Sequence, residues 1–358
     1  MRTVVRGIAA AGVAAFGWFA AGAPAQAIVI NDAAFAAGDA LTLGAPFDSV
    51  VRITYTSGGS SFMCSGALIS ATSVLTADHC ARKMTPGAVT VSFTTGNNFA
   101  ADFTRGVSQV FTFGADSSLD LLNGSDLAVL TLQSGVTNRL PFMLYDGGVI
   151  GDMGRFVGFG RSGDGTNGAT VNDGRRRAAE NVIDWYGAAK GCGGPQGFCT
   201  ASGSTNILST DFDNGTSGAN SLGGSVVGSE ATLTRYEGST APGDSGGPIL
   251  VLRDEVWLIA GVTSGGNSQL SQYGDVAWFT SVASAEARAF VLQTARDAEY
   301  WVAGTNDGPD PDFDGPPRFR FRPRGCCWPG RWRWRSCGGG GAPAPRHDGV
   351  IQDRLSCP

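Results

Sequence analysis

Histidine is almost absent from this sequence: two in 358 residues, His79 and His347. Nothing in the chain reads as a zinc site. Charge is scarce too, at 16%, and mean hydropathy is near zero. The body shows no sequence repeat. The one apolar stretch near the start, residues 8–21, is interrupted by glycine and short for a membrane span, so no membrane-spanning segment is expected. Basic residues are outnumbered through the body. Residues 28–317 carry 15 basic and 29 acidic side chains, a balance of −14 that argues against nucleic acid as a partner. The overall charge of −5 hides this, because residues 318–358 hold nine Arg and two Asp. Glycine, by contrast, is abundant at 54 residues. That suits many short strands joined by tight turns, and the length suits one large all-β domain.

Residues 1–27 read as a secretory signal. Arg2 and Arg6 supply the positive start, and Ala25-Gln26-Ala27 the small-residue cleavage site. Cleavage after Ala23 would place Pro24 directly behind the cut, which is unfavourable. Cleavage after Ala27 leaves Ile28-Val29-Ile30 as the new start. The expected location is therefore secreted or periplasmic, where disulfides persist.

Strand-length apolar runs dominate residues 46–282. Examples are Val50-Val51-Arg52-Ile53, Ala128-Val129-Leu130-Thr131-Leu132 and Val256-Trp257-Leu258-Ile259-Ala260. Residues 284–301 differ: Ala289, Phe290, Leu292 and Ala295 among Glu, Arg and Gln fit one amphipathic helix. Residues 303–317 are rich in Gly, Asp and Pro and read as a linker.

Three segments carry chemistry. They are Thr76-Ala77-Asp78-His79-Cys80, then Asp126-Leu127-Ala128-Val129-Leu130, then Gly243-Asp244-Ser245-Gly246-Gly247-Pro248. A serine is a poor nucleophile at neutral pH and needs an adjacent base. The base needs a carboxylate to hold its tautomer and stabilise the imidazolium. The chain offers all three, in the order His, Asp, Ser that chymotrypsin uses. Asp126 opens a strand-like run, where an Asp also serves as a turn cap; its distance of 47 positions from His79 is similar to the family spacing. The sequence thus resembles the chymotrypsin-like (trypsin superfamily, S1) serine proteases of the bacterial secreted type.

That resemblance implies two antiparallel six-stranded β-barrels, about 28–150 and about 151–283, with a C-terminal helix at 284–301, the whole protease domain spanning 28–302. His79, Asp126 and Ser245 would meet in the cleft. The N–H groups of Gly243 and Ser245 would form the oxyanion hole. Cys64 and Cys80, sixteen apart, would be bridged to pin the histidine loop, worth roughly 3 kcal/mol on the chain-entropy model. Cys192 and Cys199 bracket a Gly/Pro loop and form a second expected pair. Asp244 would pair with the free amino group of Ile28, although Ile30-Asn31 replaces the family's usual Gly-Gly; otherwise Ile28 simply begins a disordered lead. Ser239 falls at the base of the specificity pocket with Thr240 beside it. Ser264, Gly265 and Gly266 resemble the segment that pairs with extended substrate.

Departures from the family matter for specificity. Ser239 at the pocket base offers nothing to a substrate Arg or Lys, so apolar or small residues are expected before the cut. A shifted alignment would bring in Glu237 instead. Gly265 stands where an aromatic is common, leaving the neighbouring subsite open. Ala241 replaces the cysteine beside the pocket, so a pocket disulfide is missing. Asp78 replaces a more usual Ala; it either raises the histidine's pKa or faces solvent. No cofactor is required, although Asp211-Phe212-Asp213-Asn214-Gly215 reads either as an oxygen-rich calcium site or as a solvated turn.

Residues 318–358 form an Arg/Trp/Cys-rich tail without periodicity. Back-translated with GC-rich codons and read one frame over, residues 318–323 become Val-Pro-Val-Pro-Ala, followed by an apolar stretch and an arginine cluster. That order resembles the VPxPA variant of the PEP-CTERM envelope-sorting signals, so the tail reads as a frameshifted anchor that relatives would keep. The expected protein is a monomeric secreted endopeptidase acting on proteins or peptides. The rival is a catalytically silent relative that binds peptides or partners.

Overall fold

The computed structural model describes residues 28–114, 120–189, 206–223, 226 and 229–301. The chain divides into two compact units, 1–321 and 322–358, and the second lies wholly outside the described residues. So do the signal at 1–27, the linker, the tail and the Cys192–Cys199 pair. No helix among the described residues is long and apolar enough to cross a membrane.

The described chain opens with strand β1 (Val29–Ile30), followed by two short helices, α1 (Asp32–Ala37) and α2 (Asp39–Gly44). The Asn31 side chain caps α1 by accepting from Ala34 N at 3.1 Å. Six strands follow: β2 (Val50–Ser57), β3 (Ser60–Ser70), β4 (Ser73–Thr76), β5 (Val89–Phe93), β6 (Phe103–Thr112) and β7 (Ala128–Leu132). Helix α3 (Asp78–Ala81) follows β4 and α4 (Asp120–Asn123) precedes β7. These strands close a barrel in the order β2-β3-β4-β7-β6-β5. Alternation drives it: Ile53 and Tyr55 of β2 are buried while Arg52 and Thr54 between and beside them are only half-buried. Gly58 and Gly59, at φ 56° and 79°, make the two-residue hairpin loop that sets the β2–β3 register.

The second half contains β8 (Met153–Gly158), β9 (Ser162–Asp164), β10 (Gly168–Val171), β11 (Arg177–Val182), β12 (Trp185–Gly187), β13 (Ile207–Asp211), β14 (Gly238–Ser239), β15 (Pro248–Arg253), β16 (Val256–Gly266) and β17 (Val276–Ser281). Seven of them form a curled sheet in the order β11-β8-β15-β16-β17-β13-β12. Phe156, Ile249, Val251, Leu258 and Phe279 fill its core. The architecture is the expected all-β, two-barrel fold, with the second barrel built as this seven-stranded half-barrel.

Two placements differ from expectation. Residues 28–150 were expected to form the first half, but β1 pairs parallel to β9 and antiparallel to β14, in a small sheet ordered β10-β9-β1-β14. The start of the chain is thereby sewn into the second half. The terminal helix, expected over 284–301, is α5 (Ala285–Thr294) only. Beyond it the backbone trades helical bonds for strand-like ones: Leu144 N donates to Glu299 O at 2.9 Å and Trp301 N to Leu144 O at 2.8 Å. Burial of Ala295, Ala298 and Trp301 fixes that return path.

Candidate active site

The histidine segment begins where β4 ends. His79 lies on the single turn α3, and Cys80 beside it is bridged to Cys64 of β3, as the resemblance implied. His79 faces Asp126, the second residue before β7. His79 N donates to Asp126 Oδ1 at 2.8 Å, and His79 Nδ1 lies 2.7 Å from Asp126 Oδ2. The carboxylate can only accept, so Nδ1 carries the proton and Nε2 is left as an acceptor. Asp126 is fully buried. Burial alone would push its pKa up; the His79 charge and the hydrogen bonds from His79 and Ser264 outweigh that and hold it below the ordinary value. A turn cap would spend its oxygens locally, whereas these are taken by residues 47 and 138 positions away.

Ser264 makes the longer of those connections. Its hydroxyl donates to Asp126 Oδ2 at 2.6 Å and is buried. The sequence suggested Ser264 only as a substrate-pairing residue. No local signal marks its tie to Asp126, because the two meet only once the barrels are packed.

Ser245 sits in the loop between β14 and β15, half-buried like His79. Backbone contacts seat it. Ser65 N donates to Ser245 O at 2.8 Å. The Cys80 sulfur lies 3.9 Å from that oxygen and 3.7 Å from His79 Nε2, so the serine loop and the imidazole share one neighbour. Among the described residues no hydrogen bond joins the Ser245 hydroxyl to the ring; such bonds are commonly long before substrate binds. Gly246 must be glycine. At φ 84°, a Cβ there would stand 2.1 Å from Thr76 Oγ1 and 2.3 Å from Ser65 O. Gly243 has φ 100°. Among the described residues the N–H groups of Gly243 and Ser245 meet no protein acceptor, while Asp244 N donates to Ala241 O and Gly246 N to Thr263 O. Two adjacent, unspent donors are what an oxyanion site needs.

Asp244 points the other way, into the protein. Its carboxylate accepts from Ile28 N at 3.0 Å, Ala241 N at 2.8 Å and Gly160 N at 2.8 Å. Burial pushes its pKa up to about 7, against the pull of those amides. Ile28 is buried rather than part of a loose lead, and has φ 59°, a strained value for a β-branched residue.

Ser239 and Thr240, the residues expected to line the pocket, are buried, and Ser239 pairs with Val29 of β1. Glu237 is buried too, and its carboxyl accepts from Thr234 N at 3.1 Å. Gly266 is exposed and Gly265 half-buried. A Cβ built on Gly265 would have Leu121 Cδ2 and Trp278 Cε3 no closer than 4.0 Å, so the space beside it is open. Asp78 does not face solvent: it is buried and paired with Arg82, Nη2 to Oδ2 at 2.9 Å.

Carboxyl groups gather around Asp211 and Asp213. Burial and the neighbouring charges of Asp211 and Asp213 push Asp184 up to about 8. Burial, then Asp211, pushes Asp213 up to about 7. Burial is also the chief cause that raises Asp211, and that lifts Glu237 to about 8. Among the described residues, the Oδ1 atoms of Asp211 and Asp213 are buried and meet no hydrogen-bond partner. Among the described residues no group of three or more His, Cys, Asp or Glu is placed to hold a metal ion.

Residues 44–184 match the Trypsin family model. No curated protein matches the chain. Among solved structures, that of HL collagenase is similar over 70% of this chain and 94% of its own, at 16% identity and a TM-score of 0.48. The family match thus lies over the closed barrel that carries His79 and Asp126, and residues 44–184 of this chain are similar to the trypsin family.

Proposed function

We propose that the protein is an exported endopeptidase whose catalytic residues are His79, Asp126 and Ser245. The observation that carries this reading is the 2.7 Å contact of His79 Nδ1 with the fully buried Asp126 carboxylate, beside the serine loop. Ser245 Oγ attacks the scissile carbonyl carbon as its proton passes to His79 Nε2. Asp126 stabilises the imidazolium, and the N–H groups of Gly243 and Ser245 hold the oxyanion. His79 then protonates the leaving amine, and water repeats the sequence on the acyl-enzyme. Side chains and water complete this chemistry without a cofactor. Export would remove residues 1–27 and turn the Ile28 nitrogen into an ammonium already seated on Asp244. With Ser239 at the pocket base, the residue before the cut is apolar or small.

The test is covalent labelling with a serine-directed phosphonylating reagent. The protein should take up one equivalent, on Ser245, and Ser245→Ala should take up none. Turnover by that variant should fall by ~10⁶, since the three residues act as one unit. A folded protein that resists labelling would be the silent relative instead. Peptidase activity of Ser245→Ala within tenfold of the parent would refute the assignment.

A further inference from the structure

The segment 239–241 is held firmly on one side. Ser239 pairs with Val29, and Ala241 N donates to Asp244 Oδ2 at 2.8 Å. The bridge that the family places beside this pocket is missing, because Ala241 stands where its cysteine would be. The loop 267–275, between β16 and β17, runs along the other side. Its outer edge is fastened to the protein: Tyr273 N donates to Gly165 O at 3.0 Å, Gln272 Nε2 to Thr166 O at 2.9 Å and Gly274 N to Phe212 O at 2.7 Å. Toward the pocket, Ser271 Oγ donates to Thr240 O at 2.7 Å.

Ser271 is an unusual residue for its backbone. It lies at φ 56°, in the left-handed region, where glycine is at ease and serine is strained. It is 1% exposed, so its hydroxyl has no access to water and must find its partner within the protein. A glycine would satisfy the turn but not reach Thr240. We propose that Ser271 is a positioning residue for the specificity pocket: its buried hydrogen bond to the Thr240 carbonyl clasps the 239–241 wall to the 267–275 loop where the disulfide is missing. The inference rests on reading 239–241 as a pocket wall. The clasp touches neither Ser245 nor His79. It sets how well the pocket holds the side chain before the cut, and so acts on substrate binding and choice more than on bond breaking.

Ser271→Gly is the discriminating variant, since it removes the hydroxyl and relieves the backbone strain together. For the best peptide, KM should rise about five- to tenfold with kcat within about threefold, the scale of one lost buried hydrogen bond. Discrimination between residues before the cut should shrink in parallel. Amide hydrogen exchange across 239–243 should quicken by a similar factor. Ser271→Ala should show the same kinetic change with lower thermal stability. If Ser271 serves only the turn, Ser271→Gly will keep its KM, its selectivity and its exchange protection, and the clasp is refuted. A parent protein that fails to label with the phosphonylating reagent would refute the catalytic reading instead. Exchange at 239–243 would still decide the clasp.

Discussion

The Ile28 nitrogen lies 3.0 Å from Asp244 Oδ2, and both residues are buried. In the uncut chain that nitrogen is an amide, so the carboxylate has a dipole where it could have a cation. The peptide bond before Ile28 also holds it at φ 59°. Cutting after Ala27 abolishes that torsion and supplies the charge in one step. Exported protein should therefore begin at Ile28 by N-terminal sequencing. Retaining one extra N-terminal residue, or Asp244→Asn, should cut activity far more than it cuts folding, because breaking a buried pair costs ~3–5 kcal/mol at the site. Full activity with an extended terminus would refute this route.

The proposed pocket base, Ser239, predicts a cleavage preference. Peptides with Phe, Leu, Tyr or Ala before the cut should be hydrolysed faster than those with Arg or Lys, because a serine hydroxyl there carries no charge to pair with a cation. Profiling on a peptide library measures this. A clear preference for Arg would mean that an acidic residue lines the pocket after all; Glu237, buried and hydrogen-bonded to Thr234, would be the first to examine.

Stability should fall as pH rises toward 8. Asp184, Asp213 and Glu237 have folded pKa values of about 8, 7 and 8. A carboxyl raised in this way binds its proton more tightly folded than unfolded. The stability it lends is present below the unfolded value, about 4, and drains away between there and the folded value. Thermal melts from pH 5 to pH 8.5 should show the midpoint falling, and Asp184→Asn should flatten the slope. A flat profile in the parent would refute the proton-held cluster. Rescue at pH 8 by added calcium would favour the oxygen-rich site read at residues 211–215.

Arg176 should be the costliest surface-remote charge to remove. It is fully buried just before β11, yet it donates to Thr94 O, Thr94 Oγ1 and Gly96 O in the first barrel and to Asp48 Oδ1, at 2.6–2.9 Å. Arg176→Ala strands those acceptors and should lower unfolding stability by ~3–5 kcal/mol, read from urea denaturation. Arg176→Lys should not rescue it, because an ammonium cannot span the same set of acceptors. A loss below ~1 kcal/mol would show that the barrels do not depend on this link.

The readable parts of the protein were those where one residue type answers a local physical demand. Gly246 is forced by the close approach of Thr76 and Ser65. Cys64 and Cys80 find each other across one hairpin and a turn. Alternating burial along β2 shows in its residue order. The helix expected over 284–301 ends at Thr294 although its apolar spacing continues further, and only the bonds to Leu144 reveal that the chain turns there.

By itself the amino-acid sequence determined the all-β class, the strand-forming runs and the segments that hold His79, Asp126 and Ser245, while the two barrels were implied only by the family those segments resemble. Each depends on local composition, spacing or backbone freedom. Tertiary structure alone decided the partners that lie far apart along the chain: Ser264 with Asp126, Ser271 with Thr240, Arg176 with Thr94 and Asp48, and the carboxyls around Asp211. Serine, threonine and arginine hydrogen-bond readily with many groups. Which one they meet is set by strand register and by how the two barrels pack, and no short window of residues carries that information.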